Sequence, residues 1–362
     1  MDRTWFVTGS SRGLGRALAQ AVVAAGERLC ATARDPAALV DLVEAGGERV
    51  LALPLDVTDE EAARRVVEAA VERFGRVDVV VNNAGYGDVA PIEDTDLASF
   101  RAQVETNLFG VVNVTKAAIP LFRTQRRGHF LQVSSIGGRT GATGRGPYSA
   151  AKFGVEGFSE VLAIEMKPFG VHVTIVEPGG FRTDFAGSST RIAEGSPAYA
   201  ETVGQVAAMQ RAYDGKQPGD PERAARAMMT VVSAKAPPLR LVLGSDAYAR
   251  AEAGDEARLA ELRAWRELSL STRLPTLTPG LPRRCPALTV TETRRECQGP
   301  HPHVRGAVRV APASQARRKG QRFATCLSRK PRMRGAISSS LSSSAKWPVS
   351  RMCSSASGRS LR

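Results

Sequence analysis

Cysteine is scarce in the first three quarters of this sequence. Of the five cysteines among 362 residues, only Cys30 lies before residue 275. Neither part of the chain shows a paired metal-ligand spacing or a dense disulfide pattern. We therefore predict no metal site and no disulfide scaffold, and we expect a reducing, cytoplasmic compartment. Cys30 falls in an apolar run, so it is expected to be a buried, inert thiol.

Long hydrophobic runs are also missing. No stretch approaches about 18 uninterrupted apolar residues, so no membrane span is predicted. The start, Met1-Asp2-Arg3, leads directly into an apolar run and leaves no room for a signal peptide. We therefore expect no membrane partner.

Acidic residues almost disappear after residue 274. Residues 275–362 contain 18 of the 50 Lys and Arg residues but only 2 of the 36 Asp and Glu residues, so they carry +16 while residues 1–274 carry −2. This Arg-, Ser- and Pro-rich segment has few large apolar residues and cannot bury enough surface to offset its ordering entropy. We predict a disordered tail, which also resembles a translated wrong frame of a GC-rich gene. A basic nucleic-acid-binding arm is the functional alternative, although it lacks interleaved aromatics.

Short apolar runs alternate with amphipathic segments through residues 4–244. Most runs are too uniformly apolar to be half-solvated, as expected for a parallel sheet covered on both faces. The alternation predicts an α/β fold: a single doubly wound, Rossmann-type domain over residues 1–274 with a seven-stranded parallel sheet. The predicted strands are Trp5–Thr8, Leu29–Thr32, Val50–Pro54, Val77–Val81, His129–Val133, Val171–Val176 and Leu239–Leu243.

Residues 184–219 interrupt this alternation because they are polar and only weakly periodic. A new helix is predicted directly after them, where Asp220 is a cap and Pro221 occupies the first helical position. A long insertion after a strand end is usually a lid or a binding loop. We predict a lid here, with an ordinary surface excursion as the alternative.

Three glycines, Gly9, Gly13 and Gly15, lie between the first predicted strand and the first predicted helix. Glycine lets the backbone turn tightly and approach a pyrophosphate, which the N–H groups of a helix N-terminus attract. Because the glycines lie where the motif requires them, they predict a dinucleotide-binding loop.

The end of the second strand bears on which dinucleotide is bound. An arginine there favours a ribose 2′-phosphate, whereas an acidic residue favours a free 2′-hydroxyl. Arg34 fits the phosphate, and Arg12 in the glycine loop could reach the same group. NADP(H) is therefore the predicted cofactor, although Asp35 directly follows Arg34 and leaves NAD(H) possible.

A tyrosine and a lysine four residues apart begin an apolar-periodic segment, Tyr148-Ser149-Ala150-Ala151-Lys152. This spacing puts both side chains on one helix face. Free tyrosine has a pKa near 10, too high for an efficient base at neutral pH, and a nearby ammonium group lowers it. The pair therefore predicts a proton-transfer site.

Together these features resemble the short-chain dehydrogenase/reductase family, of the type with T-G-x-x-x-G-x-G and Y-x-x-x-K motifs. The resemblance spans residues 4–270. Besides the glycine loop and the tyrosine–lysine pair, it rests on Asp56, Asn82-Asn83-Ala84-Gly85, Asn107, Ser134-Ser135, Pro178-Gly179 and Thr183.

The resemblance implies a role for each matching residue. Ser135, thirteen residues before Tyr148, would hydrogen-bond the substrate oxygen, and Tyr148 would give or take the proton. Lys152 would hold the nicotinamide ribose, and Asn107 would anchor a water linked to it. The implied cofactor-binding residues are Gly9, Ser11, Arg12, Gly13, Leu14, Gly15, Arg34, Asp56, Asn83, Ala84, Gly85, Tyr148, Lys152, Pro178, Gly179 and Thr183.

The substrate side of the cleft is less constrained by the sequence. Apolar and aromatic candidates suggest a hydrophobic alcohol or carbonyl compound, although the aromatic ones could equally belong to the core. The candidates are Tyr86, Ile136, Arg139, Phe181, Phe185 and Tyr199. His129 and His172 begin predicted strands and are interpreted as structural.

The predicted function is hydride transfer between NADP(H) and a secondary alcohol or ketone. A non-catalytic NADP(H)-binding regulator is the alternative, but it would predict a broken catalytic set. Association with nucleic acid through the basic tail is a further alternative. The resemblance also implies a homodimer or homotetramer built through the helices that contain Asn107 and Tyr148.

Overall fold

The computed structural model describes residues 3–185, 187, 189–193 and 195–273. The predicted disordered tail, 275–362, lies outside the described residues. The strands are β1 Thr4–Val7, β2 Arg28–Ala33, β3 Val50–Pro54, β4 Val79–Asn82, β5 Gly87–Val89, β6 Gly128–Val133, β7 Val171–Pro178, β8 Thr190–Ile192 and β9 Arg240–Leu243. The helices are α1 Gly13–Ala24, α2 Val40–Gly46, α3 Glu60–Phe74, α4 Leu97–Val104, α5 Gly110–Gln125, α6 Gly146–Met166, α7 Gln205–Tyr213, α8 Pro221–Val232, α9 Ser245–Ala264 and α10 Arg266–Ser271.

Among the described residues, seven strands form one parallel sheet in the order β3-β2-β1-β4-β6-β7-β9. The strand order reverses direction between β1 and β4, which is where an open α/β sheet leaves a crevice for ligands. The predicted fold class, a doubly wound α/β domain with a seven-stranded parallel sheet, is confirmed.

Strand β1 shows why the predicted runs are uniformly apolar. Trp5 and Val7 belong to one buried cluster, which α1, α2 and α8 cover, whereas Phe6 belongs to a second cluster beneath α3, α5 and α6. Successive side chains of a strand point to opposite faces, and both faces of this sheet are buried. Every position of β1 must therefore be apolar or hydrogen-bonded.

The helix boundaries follow local chemistry that was readable in the sequence. Helix α1 is followed by Gly26 in the left-handed region, at φ 74°, a conformation that commonly ends helices and that glycine adopts without strain. Helix α8 begins as predicted, because the Asp220 carboxylate accepts hydrogen bonds from the backbone N–H groups of Glu222 and Arg223. Pro221 occupies the first turn, where no N–H is needed.

A second, two-stranded sheet was not predicted. Gly87–Val89 pairs in parallel with Thr190–Ile192, and both segments are only three residues long. Such segments are too short to show a period of two, and their partners are far apart in the chain. The excursion 184–219 also contains α7, so its weak periodicity did not mean a lack of regular structure.

Candidate active site

A cleft of about 1180 Å³ opens at the carboxyl ends of β1, β4, β6 and β7. Sixteen of the predicted site residues line it, and they are Gly9, Ser11, Arg12, Gly13, Leu14, Arg34, Asp56, Asn83, Ala84, Gly85, Ser135, Tyr148, Lys152, Pro178, Gly179 and Thr183. Gly15 and Asn107 lie behind the lining. The fold thus brings together residues that are spread over 175 positions of sequence.

The glycine loop is held against the end of β4 by close backbone contact. A Cβ on Gly9 would lie 2.9 Å from the Ala84 Cα, and one on Gly15 would overlap the Asn83 amide and the Gly9 carbonyl. The Asn83 amide donates hydrogen bonds to the carbonyls of Thr8 (3.0 Å) and Gly9 (3.1 Å). Asn83 therefore fixes the loop, in addition to lining the cleft, and Gly15 makes that packing possible.

The start of α1 fits a pyrophosphate. This 12-residue helix has no side-chain cap and no acidic residue in its first turn. A Cβ on Gly13 would meet only the Thr183 side chain, at 3.6 Å, so the glycine keeps open the space between the helix N-terminus and Thr183. An uncapped N-terminus facing a cleft is an anion-binding arrangement.

The edge of the cleft after β2 and β3 contains two acidic residues and one arginine. Asp56 accepts hydrogen bonds from the backbone N–H and the hydroxyl of Thr58, and these bonds, together with Arg34, lower the pKa of Asp56. Asp35 accepts a hydrogen bond from the backbone N–H of Ala37 (3.0 Å) and so caps the turn that follows it. Arg34 lines the cleft and is exposed.

Ser135, Tyr148 and Lys152 meet at the floor of the cleft. Tyr148 is in the first turn of α6, and Ser135 is the second residue after the end of β6. The Ser135 hydroxyl accepts a hydrogen bond from the backbone N–H of Gly137 (3.0 Å), which fixes its orientation. The Lys152 ammonium donates to the Val133 carbonyl (2.7 Å) and lies 5.8 Å from the centre of the Tyr148 ring.

Burial and nearby charges shift the pKa values of the groups at this floor. Burial raises the pKa of Tyr148, while a hydrogen bond with Ser135 and the charge of Arg145 lower it. Burial also lowers the pKa of Lys152 to about 8, against the opposing effect of Glu156. The expectation that Lys152 lowers the pKa of Tyr148 stays a prediction, and Arg145 is a second cation that acts in that direction.

Asn107 is fully buried in a π-helical turn, Glu105–Phe109, between α4 and α5. Its side-chain oxygen accepts a hydrogen bond from the backbone N–H of Tyr86 (3.0 Å), and its amide donates to the carbonyl of the same residue (2.7 Å). A Cβ on Gly85 would lie 2.6 Å from this oxygen. Asn107 thus holds the loop after β4 beside Lys152.

Two candidates for the substrate cleft lie elsewhere. Arg139 forms an ion pair with the fully buried Glu177 (2.9 Å) and a second one with Asp255. The Tyr199 hydroxyl donates to the Glu93 carboxylate (2.6 Å) at an exposed position. Both assignments to the cleft wall were wrong, because these polar groups find partners outside it. The other four candidates, Tyr86, Ile136, Phe181 and Phe185, do line the cleft.

Several cleft residues carry no motif and were not predicted. Asp88 and Arg145 approach from beside β5 and α6, and the excursion 184–219 contributes a further group: Ser189, Arg191, Val206, Met209, Gln210, Tyr213 and Gln217. The sequence contains one indication that Arg145 lies near the site, which is that it precedes Tyr148 by three residues.

His129 has the structural role that its position suggested. It is buried, and its Nε2 atom lies 2.9 Å from the Thr174 hydroxyl on the neighbouring strand. Burial and the nearby His172 lower the pKa of His129 to about 3.

Cys30 is buried in β2, and burial raises the pKa of its thiol to about 12, as expected of an unreactive cysteine.

Within the ranges given above, no three or more His, Cys, Asp and Glu residues are grouped so that they could hold a metal ion. No helix in the same ranges is long and apolar enough to cross a membrane.

Comparison with known proteins gives consistent results. The family model described as short chain dehydrogenase matches residues 3–193. Oxidoreductase BOA17 of Botryotinia fuckeliana (strain B05.10) is 48% identical over 273 residues, which cover 75% of this chain and 100% of that protein.

Two solved structures are similar as well. A short-chain dehydrogenase from Streptomyces avermitilis is 42% identical, with a TM-score of 0.71 over 76% of this chain and 100% of that one. An alcohol dehydrogenase from the archaeon Thermococcus sibiricus, complexed with 5-hydroxy-NADP, is 26% identical, with a TM-score of 0.56 over 67% of this chain and 96% of that one.

Proposed function

This chain belongs to the short-chain dehydrogenase/reductase family and is an oxidoreductase of that family, and from this premise we propose that it interconverts a secondary alcohol and a ketone with NADP(H), with Tyr148 as the acid/base. The observation that carries the proposal is the meeting of three groups at the cleft floor. Tyr148 is buried there beside the Ser135 hydroxyl, and Lys152 lies one helical turn away.

In the proposed reaction, bound NADP(H) supplies or accepts the hydride at the carbonyl carbon. The Ser135 hydroxyl donates a hydrogen bond that orients the substrate oxygen. In reduction the O–H bond of Tyr148 breaks, its proton bonds to that oxygen, and a phenolate remains. In oxidation the phenolate takes the proton back. Lys152 holds the cofactor ribose, and Asn107 keeps the adjoining loop in place.

The preference for NADP(H) rests on the edge of the cleft after β2. Arg34 lines this edge and Arg12 of the glycine loop lines the same cleft, and guanidinium groups suit a 2′-phosphate. Asp35, the residue that would favour a free 2′-hydroxyl, already caps the turn that follows it. The Thermococcus sibiricus relative was solved with an NADP derivative. Use of NADPH also favours reduction as the physiological direction.

We infer a hydrophobic substrate from the apolar part of the cleft lining. Six apolar or aromatic side chains contribute to it, and they are Tyr86, Ile136, Phe181, Phe185, Val206 and Met209. Apolar pockets with a few placed polar groups bind ligands chiefly through burial. Four of these six residues were already suggested by the sequence.

Replacement of Tyr148 tests the proposed acid/base role. Tyr148→Phe is expected to lower kcat for ketone reduction by at least about a thousandfold, because the proton donor is removed. The dissociation constant for NADPH, measured by fluorescence titration, should stay within about twofold. Tyr199→Phe is the matched control, since that hydroxyl lies outside the cleft. Retained turnover in Tyr148→Phe would contradict the proposal.

We also propose that two chains associate through the surfaces of α5 and α6, as the family resemblance implies. This surface exposes large apolar side chains, among them Phe153, Val161 and Ile164 on α6. Apolar side chains grouped on one helix face are typical of a protein interface. A double substitution, Val161→Glu with Ile164→Glu, should convert the oligomer to a monomer in sedimentation experiments.

A further inference from the structure

A second cation lies as close to the proposed proton donor as the motif lysine does. Arg145 directly precedes α6, three residues before Tyr148. Its Cζ atom lies 5.9 Å from the centre of the Tyr148 ring, and the Lys152 Nζ atom lies 5.8 Å from the same point. Arg145 belongs to none of the motifs on which the family assignment rests.

The Arg145 side chain lines the cleft, but part of its guanidinium is enclosed. Its Nη1 atom is buried and has no hydrogen-bond partner among the described residues. It packs against Gly87, where a Cβ would lie 2.8 Å from Nη1, 3.1 Å from the Phe185 ring and 3.4 Å from the Tyr148 ring. Leaving a charged donor unpaired in a buried place costs free energy. Its contact with the tyrosine ring is the interaction that can offset this cost.

The charges around the tyrosine leave the field of Arg145 only partly neutralised. Asp88 is the carboxylate that acts on Arg145, but it forms no ion pair with it within the described residues and lies 3.7 Å from Arg191 instead. Lys152 is faced by Glu156 on the next helical turn. Ser135 and Phe185, the other groups against Tyr148, are uncharged.

We propose that Arg145 is a positioning residue that stabilises the negative charge left on the Tyr148 oxygen when its proton is transferred. The proposal rests on the acid/base role proposed for Tyr148. When the tyrosine O–H bond breaks and the proton bonds to the substrate oxygen, the phenolate is flanked by two cations, Arg145 and Lys152. The same attraction favours the phenolate as the base in alcohol oxidation.

A direct contact with an anionic substrate is the competing role for Arg145. The Nη1 atom is buried, so a substrate oxygen has no access to that nitrogen in this arrangement. The charge of Arg145 acts to lower the pKa of Tyr148, against the effect of burial, which raises it, and this direction also supports the electrostatic role. The two roles separate experimentally, because substrate contact changes KM, whereas phenolate stabilisation changes the pH profile.

The test compares Arg145→Met, which removes the charge, with Arg145→Lys, which keeps it. In Arg145→Met the acidic limb of the pH profile of kcat/KM for alcohol oxidation should move up by about one pH unit. Arg145→Lys should restore the wild-type midpoint to within a few tenths of a unit. A second readout is the tyrosinate absorption band, titrated without substrate and corrected by the spectrum of Tyr148→Phe.

An unchanged midpoint in Arg145→Met would overturn the proposal, and so would a raised KM with no change in the pH profile. Failure of Arg145→Lys to restore the midpoint would also overturn it, because charge would then not be the cause. The spectroscopic titration needs no turnover. It can therefore support or reject the role of Arg145 even if Tyr148→Phe were to show that the proposed acid/base assignment is wrong.

Discussion

The two ends of the cleft are built in different ways. At the cofactor end, the wall is backbone: the glycine loop and the end of β4 approach so closely that a single added methyl group would collide. At the substrate end, the wall consists of side chains, many of them from the excursion 184–219. A backbone wall is specified by a few glycines at fixed positions, whereas a side-chain wall has to be specified residue by residue.

The two ends also differ in how firmly they are attached to the fold. The glycine loop is bound to β4 through buried groups, including the Thr8 hydroxyl, which accepts hydrogen bonds from the backbone N–H groups of Asn83 (2.9 Å) and Ala84 (3.0 Å). The excursion is attached by the short β5–β8 pairing, by a small buried cluster of Val89, Val203 and Ala207, and by exposed contacts such as that between Tyr199 and Glu93. We therefore expect changes at the cofactor end to have the larger effects.

The largest effect is expected from Gly15→Ala. A methyl group there would overlap the Asn83 amide and the Gly9 carbonyl, so the loop would have to move away from β4. Overpacking of this kind costs about 1–3 kcal/mol, so the dissociation constant for NADPH should rise between about fivefold and about 150-fold. The measurement is a fluorescence titration of purified protein.

Gly204→Ala is the matched control for Gly15→Ala. A Cβ on Gly204 would make only ordinary contacts, the nearest being the Tyr199 carbonyl at 3.6 Å. NADPH binding should not change in this variant. Equal losses in the two variants would mean that the cofactor end is not specified by close backbone contact.

The second-largest effect is expected from replacement of Glu156, one helical turn after Lys152 in α6. Burial raises the pKa of Glu156 to about 7. Between pH about 4.5 and about 7 the unfolded chain therefore ionises this carboxyl before the folded protein does, and the free energy of unfolding falls as the pH rises. In Glu156→Gln, the free energy of unfolding measured by chemical denaturation should fall by about 1–2 kcal/mol less over this pH range than in the wild type. In the control Glu160→Gln, which changes an exposed neighbour, the full pH dependence should remain.

A smaller effect is expected from Arg34→Ala at the outer edge of the cofactor end. Loss of one exposed guanidinium should lower the ratio of kcat/KM for NADPH to that for NADH by about tenfold, or about 1.4 kcal/mol. Arg64→Ala, on the outer surface of α3, is the control. A ratio that stays unchanged would mean that Arg34 does not contact the 2′-phosphate.

The smallest effect is expected at the substrate end. Glu93→Ala removes the acceptor of the Tyr199 hydroxyl at an exposed position, so the free energy of unfolding should fall by less than about 1 kcal/mol. Limited proteolysis within residues 184–219 should become faster while NADPH affinity is unchanged. A loss of cofactor affinity in this variant would show that the two ends are not independent.

The contrast between a backbone wall at the cofactor end and a side-chain wall at the substrate end explains which parts of the molecule could be predicted from the sequence. The glycine spacing, the tyrosine–lysine spacing and the apolar runs are local patterns that fix backbone geometry, so the sheet and the cofactor end followed from them. Arg139 was misassigned because its partner Asp255 is more than a hundred residues away. Arg145 was missed for a related reason: its approach to the tyrosine ring depends on the packing of Gly87 and Phe185, which lie outside its own helix.

The pairing of β5 with β8 has a consequence for the order of folding. It joins Gly87 to Thr190 across about one hundred positions through only three residues on each side. Contacts that close so long a loop for so little buried surface are expected to form late. The β1–α1–β2 unit, by contrast, closes within the first 33 residues. A newly made chain would therefore form the β1–α1–β2 unit, with the glycine loop between its first strand and its helix, before the β5–β8 pairing beside the cleft.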